Sequence, residues 1–436
     1  DGIRDIGVTG VQTCALPISV LTGGRLTRDD AYAYSKFARM ALDSDDIDFR
    51  VRIATDEEAQ FLASSVAGRT LGPTYEQLEH APVVLLVGFE PEEESPMVLL
   101  RLRKAARDAA VKVVSLSPVR SKSLEKMRAR WQPCRPGDEA VALADIEQGR
   151  DAELLAALRT PGAVIMVGER LAGVPGALSA AARLATSTGA ALAWVPRRAG
   201  ERGALDAGAL AGLLPGGRPI ADAAARAEVA AVWGVEPSAL PSAPGMSTDV
   251  TIDEILRDAQ RTADGEPRVI DAVVIAGLQI EDHPRAAELR QALAEVPFVV
   301  SLATHGSEIS EFADVVFPVA VVTEKAGGFT DWEGRVRPFA QAVHGTHTLP
   351  DGRVLGMIAD AMDVPFGLGD VAQLREELDR LTPWSGPRAA APNVSATPPS
   401  GGVRLATWRL LLDRGRLQEG EPHLAATARP TIALLS

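Results

Sequence analysis

Three short apolar runs, each closed by a glycine, dominate the hydrophobic pattern of the chain. They are VVLLVG (83–88), VIMVG (164–168) and VVIAG (273–277). Six or seven residues separate the glycine of each run from a proline: Pro96, Pro175 and Pro284. Runs rich in β-branched residues and bounded by turn residues predict strands that are buried on both faces. Because proline is favoured at the first position of a helix, each unit is predicted to be a strand, a glycine turn and a helix.

A second apolar run follows each predicted helix. These runs are VKVVSL (111–116), AALAWV (190–195) and PFVVSL (297–302). Strand, helix and strand at this spacing predict βαβ units with right-handed crossovers, so the fold class is predicted to be α/β, with doubly wound, Rossmann-like lobes. An earlier helix is predicted from Thr27, its N-cap, to about Leu42, because Tyr34, Phe37 and Ala41 repeat at helical spacing.

Composition divides the chain into five segments. Residues 1–19 lack a starting Met, a basic n-region and an amphipathic period, and they are interpreted as a non-native leader that resembles translated sequencing-adaptor sequence. Residues 20–150 and 151–382 are predicted to form the first and second α/β lobes. A Pro/Ser-rich linker at 383–402 is predicted to lead into 403–436, the start of a further domain that a truncated C terminus leaves incomplete.

Charge and cysteine content narrow the possible functions. The 45 basic and 58 acidic residues give a net charge of −13, which disfavours binding to nucleic acid or to an anionic membrane surface. No apolar run approaches the roughly 18 residues of a membrane-spanning helix, so direct membrane insertion is not expected. The two cysteines, Cys14 and Cys134, are too few for an iron–sulfur cluster or a disulfide scaffold.

Common motifs of nucleotide binding and hydrolysis are absent from the sequence. There is no G-x-G-x-x-G after a predicted strand, no G-x-x-x-x-G-K-[ST] and no G-x-S-x-G. Cys134 has no neighbouring histidine in sequence, which is more typical of a loop residue than of a nucleophile. His344 and His347 lie in a Gly/Thr loop without an adjacent carboxylate, so a metal site is not expected there. Ordinary hydrogen bonding is expected of the isolated histidines: His80, His283, His305 and His423.

An acidic loop, GFEPEEESP (88–96), follows the first glycine-closed run. Its carboxylates are Glu90, Glu92, Glu93 and Glu94. In a doubly wound sheet such a loop lies where ligands bind. A phosphate about 6 Å from one carboxylate would be repelled by roughly 3 kcal/mol at an effective dielectric constant of about 20, so the loop is expected to exclude a pyrophosphate unless cations compensate. Candidate cations lie farther along the helix: Arg101, Arg103 and Lys104. The simpler alternative is that the acids stabilise the positive end of a helix dipole.

A second region rich in charge and glycine is ADVVFPVAVVTEKAGGFTDWEGRVRPF (313–339). It is predicted to contain a short strand, a Gly-Gly turn and a charged turn from Asp331 to Arg335. Glu333 and Arg335 are too few to specify a reaction. A loop held by an Arg–carboxylate pair is the simpler interpretation.

These motifs resemble those of the molybdopterin oxidoreductase superfamily. The superfamily pattern is carried by the strand–Gly–x6 or x7–Pro units at Gly88 and Gly277 and by the turn that begins at Arg135. It is also carried by the string E-x-x-G-x-x-x-[ND]-x-E-G-R at Glu324, Gly327, Asp331, Glu333, Gly334 and Arg335. Three further segments resemble the C-terminal part of the large iron–sulfur (G) subunits of bacterial NADH-quinone oxidoreductases: LTGGRLT (21–27), DDIDFR (45–50) and VVLLVGFEPEEESP (83–96).

The resemblance implies two α/β lobes around a cleft. In active superfamily members the cleft holds a pterin dinucleotide and its metal, whereas the G subunits are thought to have lost this cofactor. The sequence departs from the enzymes in the same direction, because Asp331 replaces a neutral Asn and Gly328 stands where Thr is common. We therefore expect no catalytic residue, no metal ligand and no cofactor in this chain. The residues of the vestigial cleft are predicted to be Gly88, Glu90, Glu92, Gly277, Glu324, Gly328, Asp331, Glu333 and Arg335.

The same resemblance implies a fragment of NADH-quinone oxidoreductase, which transfers electrons from NADH to quinone and translocates protons. Iron–sulfur clusters are implied for a region that this chain lacks. The implied partners are other peripheral-arm subunits of respiratory complex I, including the flavin-bearing NADH-binding subunit, on the cytoplasmic side of the bacterial inner membrane. LATWRLLLDRG (405–415) would open a C-terminal β-barrel-like domain. Two alternatives stay open: an active molybdopterin-dependent oxidoreductase of the formate dehydrogenase type, and a stand-alone interaction module.

Overall fold

A computed structural model describes most of the chain. The described residues are 17–52, 54–69, 71–108, 111–367, 369–397, 404–405, 407, 410–412, 418, 420–430 and 432–433. The leader predicted at 1–19 lies mostly outside them, and so does Cys14. Its last two residues, Ile18 and Ser19, belong to the first strand of the structure, so a boundary after residue 19 divides that strand.

The described residues form short strands and helices of mostly one to four turns. The strands are β1 (Ile18–Leu21), β2 (Ile47–Asp48), β3 (Val83–Val87), β4 (Lys112–Ser117), β5 (Arg130–Pro133), β6 (Val164–Gly168), β7 (Ala191–Val195), β8 (Leu213–Leu214), β9 (Arg218–Pro219), β10 (Ala272–Ala276), β11 (Phe298–Ala303), β12 (Val315–Pro318), β13 (Gly327–Thr330) and β14 (Val336–Phe339). The α-helices are α1 (Arg28–Met40), α2 (Asp56–Phe61), α3 (Tyr75–His80), α4 (Pro91–Glu94), α5 (Pro96–Asp108), α6 (Lys122–Lys126), α7 (Glu139–Glu147), α8 (Ala152–Leu158), α9 (Ala177–Thr188), α10 (Glu201–Asp206), α11 (Ala223–Trp233), α12 (Thr248–Ala263), α13 (Ala286–Glu295), α14 (Glu308–Phe312), α15 (Asp351–Ala361), α16 (Val371–Leu381) and α17 (Pro422–Ala425).

Two five-stranded parallel sheets form the framework. Sheet 1 has the order β12-β11-β10-β1-β2 and sheet 2 the order β5-β4-β3-β6-β7. In both sheets the chain begins near the centre and adds strands on either side, which is the doubly wound arrangement. Every residue of β3, β6 and β10 is buried, as the glycine-closed apolar runs predicted. The predicted α/β fold class is therefore confirmed.

The division into lobes differs from the prediction. A boundary between residues 150 and 151 would separate β3 from β6, yet these strands are hydrogen-bonded neighbours in sheet 2. Sheet 1 instead combines β1 and β2 with three strands that follow residue 271. The prediction failed because apolar runs identify strands but carry no information about which strands pair.

The helix starts agree with the sequence in part. Thr27 is the N-cap of α1, and its hydroxyl accepts a hydrogen bond from the Asp30 amide, as predicted. Pro96 is the first residue of α5, also as predicted. Pro175 and Pro284 do not begin helices. After β6 and after β10 the chain forms a short 3-10 turn, and the proline lies between that turn and the helix. At these two positions the proline follows the 3-10 turn and does not initiate the helix.

Helices cover both faces of each sheet. Residues of α3, α5 and α6 pack on one face of sheet 2, together with Leu86 and Val113. Residues of α12 and α13 pack on one face of sheet 1, around Val273 and Ile275. A third and larger cluster contains the remaining face of both sheets, including Leu85 and Val274, so the two sheets share one continuous core.

The glycine-rich and charged region at 313–339 forms β12 and an antiparallel hairpin of β13 and β14. The predicted Gly-Gly turn is wrong, because Gly327 and Gly328 lie within β13. The predicted charged turn is the connection of the hairpin, from Asp331 to Arg335. Trp332 at its tip is buried in the cluster of sheet 2 that contains Leu86.

The C-terminal part of the chain has little regular structure among its described residues. Residues 383–397 form no helix or strand, and α17 is the helix described between 404 and 433. The segment 405–415 lies largely outside the described residues, so the β-barrel-like start of a further domain stays a prediction. Among the helices that the structure describes, none combines the length and the apolar character needed to cross a bilayer.

Candidate functional site

The carboxyl ends of the two sheets meet in direct backbone contact. The Gly200 amide, after β7 of sheet 2, donates to the Gly24 carbonyl, after β1 of sheet 1, at 3.0 Å. A Cβ added at Gly200 would lie 2.3 Å from the Leu26 carbonyl oxygen, and one at Gly24 would lie 2.7 Å from Cγ of Glu201. The loops that would border a ligand cleft in a doubly wound fold therefore touch each other here.

Charged side chains fill the rest of this junction, and we call them the junction network. Its members are Arg25, Arg52, Arg198, Glu58, Glu169, Glu201 and Asp282. Each of them is supplied by a segment near the carboxyl end of a strand or by a helix that follows one, which explains why they converge. The network contains three arginines and four carboxylates, so it is close to neutral.

Arg198 follows β7 of sheet 2 and lies near three carboxylates, of which Asp282 comes from sheet 1. Its guanidinium lies 3.3 Å from Asp282, which follows β10, and 3.4 Å from Glu201 in α10. Glu169, which follows β6, lies 3.7 Å away. Arg25 adds a second cation to Asp282 at 2.7 Å. Because Arg198 is only 6% exposed, these ion pairs are screened little by solvent.

Arg52 forms the second centre of the network. It pairs with Glu58 at 2.7 Å and Glu169 at 3.3 Å, and Glu201 lies 3.9 Å away. Arg50 extends the network by a bidentate contact with Asp48, with both N–O distances at 3.0 Å. Removing one partner from such a buried set leaves an uncompensated charge, which is strongly destabilising.

Burial and neighbouring charges shift the pKa values of Glu201 and Arg52. Burial raises the pKa of Glu201, Arg52 and Arg198 lower it, and the Glu169 carboxylate adds to the rise. For Arg52, burial lowers the pKa, but the carboxylates of Glu58, Glu201 and Glu169 raise it by more. Arg52 therefore stays charged, and Glu201 depends on Arg52 and Arg198 to remain ionised.

The acidic loop predicted from sequence is neutralised by partners from within the chain. Glu92 pairs with Lys126, Glu93 with Arg429 at 2.6 Å, and Glu94 with Arg170 at 3.1 Å. Glu90 is the N-cap of α4 and accepts a hydrogen bond from the Ser123 hydroxyl. The acids belong to their own short helix, α4, and the first turn of α5 contains none. The acids thus lie in the single turn of α4 and not at the start of α5, so the helix-stabilising alternative stays a prediction, and the compensating cations differ from those expected.

Burial perturbs the protonation of Glu94 in this loop. Burial raises the pKa of its carboxyl to about 7, Arg170 opposes the rise and Glu169 adds to it. One of its oxygens lies so close to Gly168 that a Cβ there would be 2.7 Å away. The loop acid that faces the junction network is therefore Glu94, which the sequence analysis did not include in the cleft.

The hairpin residues lie apart from the junction network. Asp331 pairs with Arg337 at 2.9 Å, and Glu333 pairs with Arg335 at 3.3 Å and accepts a hydrogen bond from the Tyr75 amide at 2.7 Å. These contacts hold the loop, as the simpler interpretation predicted. Within the described part of the chain, no hydrogen bond or salt bridge connects them to the network. The predicted cleft residues Asp331, Glu333 and Arg335 are therefore not brought to the place where the sheets meet.

Of the remaining predicted cleft glycines and acids, Gly88 and Gly277 follow strands of the two sheets, whereas Glu324 and Gly328 belong to the region 313–339. Gly88 and Gly277 end β3 and β10 with φ of +57° and +59°, a conformation that favours glycine. Glu324 accepts a hydrogen bond from the Thr348 hydroxyl at 2.8 Å, and Gly328 packs against Val336. Gly277 lies on the wall of a cavity of about 220 Å³ beside the ends of β10 and β11.

The residues that fill the junction were not predicted from the sequence. A signal was present, because charged pairs follow three of the predicted strands within a few residues. These pairs are Glu169–Arg170, Arg197–Arg198 and Glu281–Asp282. Loops after parallel strands converge at one edge of a sheet, so these pairs could have been placed there.

Cys134, His344 and His347 were the candidate reactive residues of the sequence. Cys134 is a free, buried thiol whose pKa is raised to about 12 by burial and by Glu139 and Asp138, so the reactive thiolate is disfavoured. His344 and His347 lie in a loop without regular structure. The described residues contain no group of three or more His, Cys, Asp or Glu side chains placed to hold a metal ion.

Comparison with known proteins identifies relatives. The molybdopterin oxidoreductase family model matches residues 12–347. The G subunit of NADH-quinone oxidoreductase from Mycobacterium bovis is 52% identical over 439 residues, which cover 99% of this chain and 52% of that protein. Its counterpart from Streptomyces coelicolor is 50% identical over 445 residues, covering 96% and 51% of the two chains.

A more distant relative is a formate dehydrogenase. Formate dehydrogenase H of Escherichia coli is 23% identical over 408 residues, covering 81% of this chain and 55% of that protein. The chain spans about half the length of the NADH-quinone oxidoreductase relatives it matches. Family model and close relatives agree with the motifs and with the two parallel sheets: the chain belongs to the molybdopterin oxidoreductase family, in which its close relatives are the G subunits of NADH-quinone oxidoreductases.

Proposed function

We propose that this chain is part of the large subunit of an NADH-quinone oxidoreductase, the enzyme that passes electrons from NADH to quinone and translocates protons. The identity of 50 to 52% with G subunits of that enzyme over nearly the whole chain supports this assignment. In the proposed role the chain is a peripheral part of the complex on the cytoplasmic side of the membrane. Its partners are other peripheral-arm subunits, including the flavin-bearing one, and iron–sulfur clusters are expected elsewhere in the full-length protein.

Within that subunit, we propose that the α/β lobes are a structural scaffold without a pterin cofactor. The observation that carries this proposal is the junction network, because buried ion pairs and the Gly24–Gly200 backbone contact occupy the place where the two sheets face each other. The cavity beside Gly277 measures about 220 Å³, which is below the roughly 300 to 1,000 Å³ of pockets that bury a drug-sized ligand. The residues present do not fit a pterin dinucleotide, and no catalytic step is assigned to them.

Metal analysis of the purified full-length protein in its complex tests the scaffold proposal. Molybdenum and tungsten are expected to be far below one atom per chain, whereas iron from the clusters should be abundant in the same sample. A molybdenum-containing formate dehydrogenase, purified and measured in parallel, is the control for metal loss. Stoichiometric molybdenum or tungsten would instead establish an active molybdopterin-dependent oxidoreductase.

Assembly measurements test the assignment to the complex. Arg198→Met in the full-length protein is expected to lower the amount of assembled complex while leaving NADH-dependent quinone reduction per assembled complex unchanged. Arg257→Met, on the exposed surface of α12, is the matched control and should change neither quantity. A full-length protein that purifies alone, without flavin- or iron–sulfur-containing partners, would contradict the assignment and support a stand-alone interaction module.

A further inference from the structure

The outer face of α5 carries an exposed stripe that is apolar in its first half and basic in its second. Met97 and Leu100 are 49% and 52% exposed, and Arg103 and Arg107 continue the stripe toward the end of the helix. Spacings of three and four residues place all four side chains on one face, and we call them the α5 stripe. The opposite face of the helix buries Val98, Leu99, Leu102 and Ala105 in the core of sheet 2.

A groove adjoins the basic end of the stripe. It measures about 270 Å³, and Ala106 of α5 forms part of its wall. Its floor is apolar and buried, and its rim is charged. The floor consists of Val83, Val111, Val113, Val114 and Leu154, and the rim consists of Lys112, Arg128, Arg130 and Glu153. We call this feature the basic groove.

The stripe and the groove keep a positive charge although the chain is acidic. Residues 83–198, which contain all of sheet 2, carry 17 Lys and Arg against 13 Asp and Glu, a net of +4 in a chain of −13. Within the described residues, the side chains of Arg103 and Arg128 form no hydrogen bond or salt bridge. Arg107 pairs with Asp108 beside it, and Arg128 also contributes to the electrostatic environment of Asp108.

Two rim cations do have partners within the chain. Arg130 pairs with Asp151 at 2.7 Å, and Lys112 lies 3.5 Å from Glu153. The side chains of Lys112 and Glu153 are 64% and 81% exposed, so this pair contributes little energy and can be exchanged for another carboxylate. The unpaired guanidiniums of Arg103 and Arg128 are thus available to an acidic ligand, and Lys112 can be added to them.

We propose that the α5 stripe and the basic groove form one docking surface for a segment of a partner protein that contains both acidic and apolar residues. Helix α5 has 13 residues and is about 20 Å long, which is enough for several side chains of a helical or extended partner segment. Apolar partner residues cover Met97 and Leu100, and partner carboxylates pair with Arg103, Arg107 and Arg128. The proposal rests on the proposed membership in a multi-subunit complex, and it holds whether or not the cleft between the sheets binds a cofactor.

Site-specific cross-linking tests the proposal. A photoreactive benzoylphenylalanine replaces Leu100 in the full-length protein, which is purified within its complex and irradiated, and the cross-linked peptides are identified by mass spectrometry. The expected product joins α5 to one segment of another protein that has a net negative charge and apolar residues at the cross-link. The same probe at Met357 of α15, which is also 52% exposed, is the positional control and should not give this product. Cross-links to a basic segment, to lipid or to no other chain would each overturn the proposal.

Charge reversal separates a docking surface from accidental proximity. Arg103→Glu with Arg107→Glu is expected to lower the yield of that cross-link by roughly tenfold and to make the partner dissociate at lower salt. Both positions are exposed, so the thermal unfolding of the variant should match that of the parent and exclude misfolding as the cause. Arg257→Glu on α12, where the side chain is 60% exposed, is the matched control. An unchanged yield in the double variant, or an equal loss in the control, would overturn the proposal.

Discussion

The guanidinium of Arg198 lies 3.3 Å from the carboxylate of Asp282 and so connects the segment after β7 of one sheet with the loop after β10 of the other. Both side chains are buried, and Arg25 and Glu201 complete the set. The contact joins elements that are far apart in sequence at the place where enzymes with this fold hold a ligand. The ion pairs therefore connect the two halves of the molecule.

Replacing Arg198 by Met is expected to destabilise the protein by about 3 to 5 kcal/mol, because Asp282, Glu201 and Glu169 would keep buried charges with fewer partners. Chemical denaturation gives the free energy of unfolding. Arg257→Met removes an exposed pair with Glu254 and should cost about 1 kcal/mol or less. Equal losses in both variants would show that the junction network contributes no more than a surface pair.

Gly200→Ala is expected to cost about 1 to 3 kcal/mol for a steric reason. The backbone of Gly200 is in the ordinary right-handed region, with φ of −88°, so alanine is conformationally allowed there. The added methyl group would instead lie 2.3 Å from the Leu26 carbonyl and push the two sheets apart. Gly306→Ala is the matched control, since nothing lies within 4 Å of a Cβ there, and its unfolding free energy should stay near that of the parent. If the two variants unfold alike, the contact between the sheets is looser than described.

Glu94 should make stability depend on pH in the neutral range. Its carboxyl has a pKa of about 7 in the folded protein and an ordinary value of 4.5, so the folded state holds the proton more tightly than the unfolded state. Its contribution is therefore fully present below about pH 4.5 and is lost as the pH rises through about 7. Glu94→Gln removes this loss, so its unfolding free energy relative to the parent should increase between about pH 5 and about pH 8, by roughly 1.4 kcal/mol for each unit of pKa difference.

Unfolding curves measured across this pH range check the prediction for Glu94. Glu92→Gln, two residues earlier in the same loop, is the matched control, because its side chain lies nearer the surface and pairs with the exposed Lys126, so its unfolding free energy should change by about 1 kcal/mol or less. A pH dependence that is the same in Glu94→Gln and in the parent would contradict a buried, proton-holding carboxyl.

Cys134 should react slowly with alkylating reagents in the folded protein. Burial raises the pKa of its thiol to about 12, and the side chain is buried, so both the thiolate fraction and access are small at neutral pH. In a Cys14→Ser variant of this chain, alkylation followed by mass spectrometry measures the reaction of Cys134 alone. Reaction should accelerate strongly in denaturant, and equally fast labelling of the native protein would contradict the buried position.

Local sequence predicted the strands well because burial on both faces requires continuous apolar runs. Val83, Val164 and Val273 each lie at or next to the start of such a run, and each run is a central strand. Pairing between strands was not predictable, since Val20 in β1 lies beside Val274 in β10, more than 250 residues later. The lobe boundary failed for this reason.

The candidate site was predicted in part. The acidic loop and the glycines at the ends of β3 and β10 lie where the fold rule places them. The carboxylates that fill the junction, such as Glu169 and Glu201, come from segments with no acidic run, and both lie near Arg52, which comes from the other sheet. Sequence spacing does not show such long-range charge pairing, whereas the hairpin acids looked significant because they are close together in sequence.

Sheet 1 is interrupted in the chain by the whole of sheet 2, and this has a consequence for biosynthesis. During translation β1 is made before sheet 2 and remains without its neighbour β10 until more than 200 further residues have been added. Sheet 2 is contiguous and can fold during that interval, because domains form as units once their residues are available. The edge of β1 that later pairs with β10 must therefore stay open and protected from aggregation while the inserted half matures, and translation that stalls before residue 272 would yield a protein with one finished half and an open edge.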